Sequence, residues 1–567
     1  MQRGQRRLIT RRGFLQTAAV AASASLLAAC ASATPAPTAV PTQAPTKAPA
    51  AVPAAPTQAP AATAAPVATA APVASAAPAA ATKSSEPKRG GTLTLARFAT
   101  IQEFNPFSIN PGHHPFMRAL WNTLGRYDSQ LNLQPALAEK WDFSADGKTL
   151  TIKLRQGVKF HSGREFTAED VKASLQYGQT NERSLFMSLF KTVKAVELPD
   201  KYTAVFKFDV VNPGTYDMLD ALWIVDKGTF DNRSNTAIGT GPFKVEKFIP
   251  NDQLSMVAFA DYWEKGKPYL DKYVVRQVPD NAALSINLES GAIDIAYLPA
   301  YVDAARFKAM TNKFTVERGS PGSSIYDFSI NVQAEPFTNK KVRQALAWSV
   351  DRARFCKTIL QGLSDPTCLM WPPNSWAYFK DLEGKIGFDL NKAQALLKEA
   401  GLEKGFEMEM ISSDVFITGS LALAQIIQSD LAKINVKVKV SDLASAEYQA
   451  RTQTKRDMIT MTHSYGRAGR DPGSMLAGAK AWYTDKEGGW NHYESDTYVK
   501  LRADMQSTLD RAKRQALARQ VQELMLDECF TNPVAEVPRL YVLANYVKGF
   551  GKDMDNCPLV ANIWLDK

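Results

Sequence analysis

Between Ala31 and Thr82 the chain carries eleven prolines and no aromatic residue, in a background of Ala, Thr, Val and Ser. Proline lacks the amide donor that helices and central strands need, and side chains this small bury too little apolar surface to offset the entropy of ordering. Residues 31–88 are therefore expected to form an unfolded linker with polyproline-like stiffness. The linker divides the 567-residue chain into an N-terminal segment, residues 1–30, and roughly 480 residues from Gly90 onward. Only the second part has the length and patterning for packed structure, at two or three lobes.

The N-terminal segment places Arg11 and Arg12 ahead of Phe14 and Leu15, then a weakly apolar stretch, then Leu27-Ala28-Ala29-Cys30. This succession resembles a twin-arginine export signal ending in a lipobox, which implies cleavage before Cys30 and acylation of its thiol. The stretch Thr17–Ala29 is too short and too rich in Ala and Ser to span about 20 residues of hydrocarbon. An extracytoplasmic, lipid-anchored protein is expected, on the periplasmic or outer face of a cell membrane. The formal charge of +10 includes Arg3, Arg6, Arg7, Arg11 and Arg12 of this segment, leaving about +5 on the remainder. Its Lys and Arg are interspersed with acids, so no basic stripe for nucleic acid is present. Cys356, Cys368, Cys529 and Cys557 form no CxxC pair. Buried thiols and disulfides both remain open, with Cys356 and Cys368 the nearest pair.

From Gly90 the sequence mixes strand and helix signals. GGTLTLAR alternates as a strand does, and WDFSADGKTLTIKLRQGVKF reads as two strands around an Asp146-Gly147 turn. Thr167 is a suitable N-cap, with Asp170 three residues on, and TAVFKFDV is a further strand. KVRQALAWSVDRARFCKTIL and NKAQALLKEAG read as amphipathic helices, the second closing on Gly401. Leu501, Met505, Leu509, Leu517, Val521 and Leu524 predict one long helical face near the C-terminus. Without a strict βαβ repeat, this is a mixed α/β or α+β chain, neither a barrel nor a solenoid.

Four segments, in order, carry a resemblance. Pro135–Trp141 runs through Asp146-Gly147 into Leu154–His161 and Phe166–Val171. Gly239-Thr240-Gly241-Pro242-Phe243 is followed by Asp261-Tyr262-Trp263 and Gly266–Asp271. Asn331 precedes Pro336-Phe337, Val342–Leu346 and Asp351-Arg352, and AQALLKEAG spans Ala393–Gly401. Together they resemble the family-5 extracytoplasmic solute-binding proteins, the dipeptide and oligopeptide binders of ABC importers. The resemblance implies a two-lobe, type II-like periplasmic-binding-protein clamshell in its large variant, with an extra subdomain. Lobe I is expected over residues 89–335, with the subdomain at about 135–235, lobe II over 336–535, and a return to lobe I over 536–567. It further implies a monomer that binds a peptide or other small solute and delivers it to ABC permease and ATPase subunits. The oligosaccharide and metal-chelate binders of such families stay as alternatives.

No GxSxG, HExxH or GxxxxGK motif occurs, so no enzyme and no cofactor are expected, with a secreted enzyme lacking any recognisable motif staying the distant alternative. Candidate ligand residues come from three regions. The resemblance places Asn110, His113 and His114 in a loop at the cleft edge; adjacent histidines without an acid or thiol beside them make a poor metal site, and none is expected. The second region is MTHSYGRAGRDP, Met461–Pro472. Here Asp471-Pro472 matches the dipeptide binders, Tyr465 stands about where they carry tryptophan, and Arg467-Ala468 replaces their amine-binding aspartate. An arginine there attracts a carboxylate instead, unless Arg467 and Arg470 are solvated loop charges. The third region offers Trp482, Trp490 and Asn491, with aromatic faces that suit side chains or sugar rings, or that simply pack in a core.

Overall fold

The computed structural model describes residues 86–98, 104–107, 113–128, 131–181, 184, 186–211, 213–232, 237–415, 417–466, 470–478 and 480–567. The expected signal, Cys30 and nearly all of the linker lie outside the described residues, as do Asn110 and Arg467.

The strand Thr92–Arg97 turns Leu93 and Leu95 fully inward and becomes the centre of a mixed seven-stranded sheet. The order is Phe314–Arg318, Leu540–Ala544, Ile295–Tyr297, Thr92–Arg97, Lys272–Gln277, Gln253–Ala258, Phe243–Ile249. Thr92–Arg97 runs parallel to both of its neighbours. The chain thus begins in the middle of a sheet that it completes some 450 residues later.

The predicted hairpin forms as Ala138–Phe143 and Thr149–Leu154, turning at Gly147 with φ 67°, a left-handed conformation that glycine adopts without penalty. Val193–Asp200 and Thr203–Phe208 complete a separate antiparallel four-stranded sheet. Helix Ala168–Thr180 covers it and opens on the anticipated cap, where the Thr167 amide donates to Asp170 Oδ2 at 3.0 Å. His161 ties this subdomain down: its Nδ1 accepts from the Gly239 amide at 3.3 Å and its Nε2 donates to the Gly241 carbonyl at 3.0 Å. Burial lowers its pKa to about 4, so the ring is neutral.

A second, five-stranded sheet follows the order Lys437–Asp442, Glu407–Ser412, Thr460–Gly466, Ser324–Ile330, Thr531–Glu536. It has its own core, including Phe328, Ile330, Leu346, Met410 and Ile427, all fully buried. The chain passes from the seven-stranded to the five-stranded sheet through residues 319–323 and returns through 537–539. The first passage comes earlier than the 335/336 boundary expected from the sequence. Every residue of Ser324–Ile330 is buried between two strands of the second sheet, so the strand belongs there. The two passages lie close together: a Cβ on Gly319 would stand 2.9 Å from the Arg539 carbonyl oxygen.

Two helical readings need correction. The segment 341–360 is not one helix but two, Lys340–Trp348 and Arg352–Thr358. Asp351 ends the continuity by accepting from the Arg354 amide at 2.9 Å, as a cap does. Likewise the long C-terminal face is split into Asp496–Ser507 and Arg511–Glu528, with Asp510 capping the second and Leu509 left 45% exposed between them. Cys356, Cys368, Cys529 and Cys557 are free and buried. Among the described residues, no helix is long and apolar enough to cross a membrane.

Candidate functional site

Between the two large sheets lies a cavity of about 750 Å³. One wall comes from the seven-stranded side and its subdomain: His114, Phe186, Leu189, Asp217 and Asp555. The facing wall is the end of strand Thr460–Gly466, from His463 to Gly466, followed by Arg470 and helix Pro472–Gly478. Ser323 of the first passage and Arg539 of the second also line it. Both connections between the sheets therefore border the same space.

The facing wall is aromatic with polar tips. The Tyr465 ring packs edge-on against Trp482 at 5.0 Å, and Trp490 packs edge-on against His463 at 4.3 Å. Tyr465 and Trp490 are each only 3% exposed, yet the Tyr465 hydroxyl and the Trp490 Nε1 have no hydrogen-bond partner. His463 lies 3.0 Å from the Tyr448 hydroxyl, and burial lowers its pKa to about 3, so it is neutral. Strand Thr460–Gly466 pairs along its length with Ser324–Ile330, whereas Glu407–Ser412 reaches only Thr460 and Met461 on the other side. The outer edge of residues 462–466 thus has no strand partner among the described residues.

A buried ionic network joins the walls. Arg118 donates to Asp553 at 2.6 Å and to Asp220 at 3.0 Å, while Arg470 meets Asp220 and, at 2.7 Å, Asp555. Burial works against the charge of Arg470, but Asp220 and Asp555 more than offset it and keep it cationic. Asp217, three residues from Asp220 on helix Thr215–Ala221, accepts from the Tyr127 hydroxyl at 2.7 Å. Burial, reinforced by the nearby Asp471 charge, raises its pKa to about 6.

The residues named from sequence divide accordingly. His114, Tyr465 and Trp490 reach the cavity. His114 Nδ1 lies 3.2 Å from the Tyr297 hydroxyl, and burial with the Arg539 charge depresses its pKa to about 3. His113 is buried at the start of helix His114–Leu120 with its ring against Phe116. Trp482 does not line the cavity: it is fully buried against Tyr465, in a separate hydrophobic cluster with Tyr498 and Phe530. Asn491 is also buried, its amide donating to the Ala481 carbonyl at 2.9 Å. Asp471 is taken by Arg514 at 2.7 Å and by the Gly473 amide at 2.9 Å, so it holds the loop in shape. Arg470, left open as a solvated charge, is 5% exposed and spans the cleft. Asp217, Asp555 and Arg539 were missed. Among the described residues, no group of three or more His, Cys, Asp or Glu is arranged to hold a metal.

Two separately cored sheets are joined by two short passages that border one cavity. Residues 132–487 match the bacterial extracellular solute-binding proteins, family 5 middle. The chain is 28% identical over 499 residues to the dipeptide-binding protein of Escherichia coli (strain K12), covering 82% of this chain and 92% of that protein. It is 27% identical over 489 residues to heme-binding protein A of Haemophilus influenzae, covering 79% and 87%. An ABC transporter-associated periplasmic binding protein of Helicobacter pylori, DppA, solved in complex with the peptide STSA, matches with a TM-score of 0.71 at 25% identity, covering 85% of this chain and 99% of that one. The chain belongs to family 5 of the bacterial extracellular solute-binding proteins.

Proposed function

We propose that this protein is the extracytoplasmic receptor of an ABC importer, which captures a peptide-like solute between two lobes and releases it unchanged to a membrane permease. The seven-stranded sheet with its subdomain forms lobe I, the five-stranded sheet forms lobe II, and residues 319–323 and 537–539 are the hinge. The protein acts as a monomer without enzymatic turnover. It is exported by the twin-arginine signal and held at the membrane through lipidated Cys30, with the linker giving reach.

The observation that carries the peptide reading is the unpaired strand edge at residues 462–466 beside the cavity. An extended peptide can add to such an edge through main-chain hydrogen bonds, with pockets taking alternate side chains. That mode needs no aspartate for the peptide's amine, and Asp471 is committed to Arg514. The Tyr465 and Trp490 wall favours the second reading, an oligosaccharide stacked on aromatic faces. Thermal-shift and calorimetric screening of the purified protein against peptides and against cello- and manno-oligosaccharides separates them. Peptides are expected to stabilise it, and mass spectrometry should recover them intact. Stabilisation by an oligosaccharide with none by any peptide overturns the peptide reading.

A further inference from the structure

The cavity's two buried or bridging cations differ in how far the protein already satisfies them. Arg470 is claimed by Asp220 and Asp555. Arg539 has no ion pair and no side-chain hydrogen bond among the described residues, although it lines the cavity. Its position is unusual too, since residues 537–539 form the second passage between the sheets. The Val537 amide donates to the Ser324 carbonyl at 2.9 Å, and the Arg539 carbonyl packs against Gly319 of the first passage. The base of the side chain is thus seated where the two sheets meet. Near it His114 keeps an uncharged ring, and the Arg539 charge acts on the buried hydroxyls of Tyr297, Tyr301 and Tyr326, the last two also within reach of the Asp414 charge. The acids of the lining lie elsewhere, Asp555 on Arg470 and Asp217 under Tyr127. The remaining lining cation, Lys480, donates to the Gln453 carbonyl at 3.0 Å.

An unpaired guanidinium at the edge of a cavity is suited to an anion, since its fork matches a carboxylate in bidentate geometry. We infer that Arg539 is the anchor for a carboxylate of the solute, which makes this receptor selective for acidic over neutral molecules. Because the anchor belongs to the hinge, the carboxylate can be gripped before the cleft closes.

The inference rests on the cavity being the solute site. Its test uses tetrapeptides and uronic-acid oligosaccharides, each as the free acid and as the neutral amide, titrated calorimetrically into the wild-type protein and into Arg539→Gln, Arg539→Lys and Lys480→Gln. The free acids are expected to bind about 10- to 100-fold more tightly than their amides. That preference should vanish in Arg539→Gln, survive partly in Arg539→Lys and survive fully in Lys480→Gln, with unchanged melting temperatures showing that all three fold. Equal binding of acid and amide, or an acid preference that persists in Arg539→Gln, overturns the inference while leaving the peptide reading intact. Binding of uronates alone, dependent on Arg539, overturns the peptide reading and supports the inference. If no panel member binds, native mass spectrometry of the solute retained on purification decides: a solute without an acidic group overturns it.

Discussion

Arg470 is where the electrostatics of the cleft can be tested most directly. It follows strand Thr460–Gly466 of the five-stranded sheet, while Asp220 and Asp555 stand on the opposite wall. Replacing it with Met removes the guanidinium and keeps much of the apolar length. Asp220 retains Arg118 at 3.0 Å, but Asp555, with its side chain 12% exposed, loses the Arg470 guanidinium that reaches it across the cleft. Removing one member of a buried ion pair costs about 3–5 kcal/mol. If the cleft opens, both carboxylates regain water, so the cost falls on the closed arrangement and not on either core. The closed-to-open ratio should then fall by about 10²- to 10⁴-fold, and the apparent affinity for solute by the same factor once the open form dominates. Calorimetry with a solute from the screen measures the affinity. Small-angle scattering on residues 83–567 should show the unliganded variant more expanded than wild type, with a melting temperature little changed. Adding Asp555→Asn to the Arg470→Met variant should recover part of the loss. The reasoning fails if affinity changes less than threefold, or if the variant loses its fold instead of its closure.

Asp327, fully buried in strand Ser324–Ile330, has its pKa raised to about 6 by burial, although Ser329 and Thr531 hydroxyls donate to it. The folded state therefore holds the proton more tightly than the unfolded chain, and wild-type stability should fall as pH rises from about 4 to 6, by about 3 kcal/mol. Asp327→Asn should be the more stable protein at pH 7.5, by about 1–3 kcal/mol, with no such advantage at pH 4, as read by urea unfolding; an advantage independent of pH refutes the assignment. In Gly239→Ala the new Cβ would lie 2.0 Å from the Leu120 carbonyl oxygen, which neither segment can relieve without moving. A loss of about 3 kcal/mol or more is expected in thermal unfolding, and a neutral result would mean the subdomain seat is not this tight. Cys30→Ser should release the protein from membranes in a fractionation assay, whereas unchanged sedimentation with membranes rules out the lipid anchor.

Local chemistry made some of this protein readable without coordinates. A hairpin needs only a turn residue between alternating runs, so Gly147 and its two strands were legible, as was the Thr167 cap three residues from Asp170. The same reasoning overran at Asp351 and Asp510, because averaged periodicity carries across a cap that the backbone obeys. The cavity was hardly legible. It gathers His114, Asp217, Tyr465, Arg470, Arg539 and Asp555 from across more than 400 residues of chain. Whether Trp482 stacks on a solute or fills a core depends on what lies beside it, and Tyr465 lies between it and the cavity. Whether Arg470 is solvated or bridges the cleft depends on two acids contributed by distant segments. The sequence by itself determined many of the local elements and the family, because caps, turns and strand alternation follow from interactions among neighbours along the chain. Only the tertiary structure decided which charges are paired, because pairing is set by distance in space.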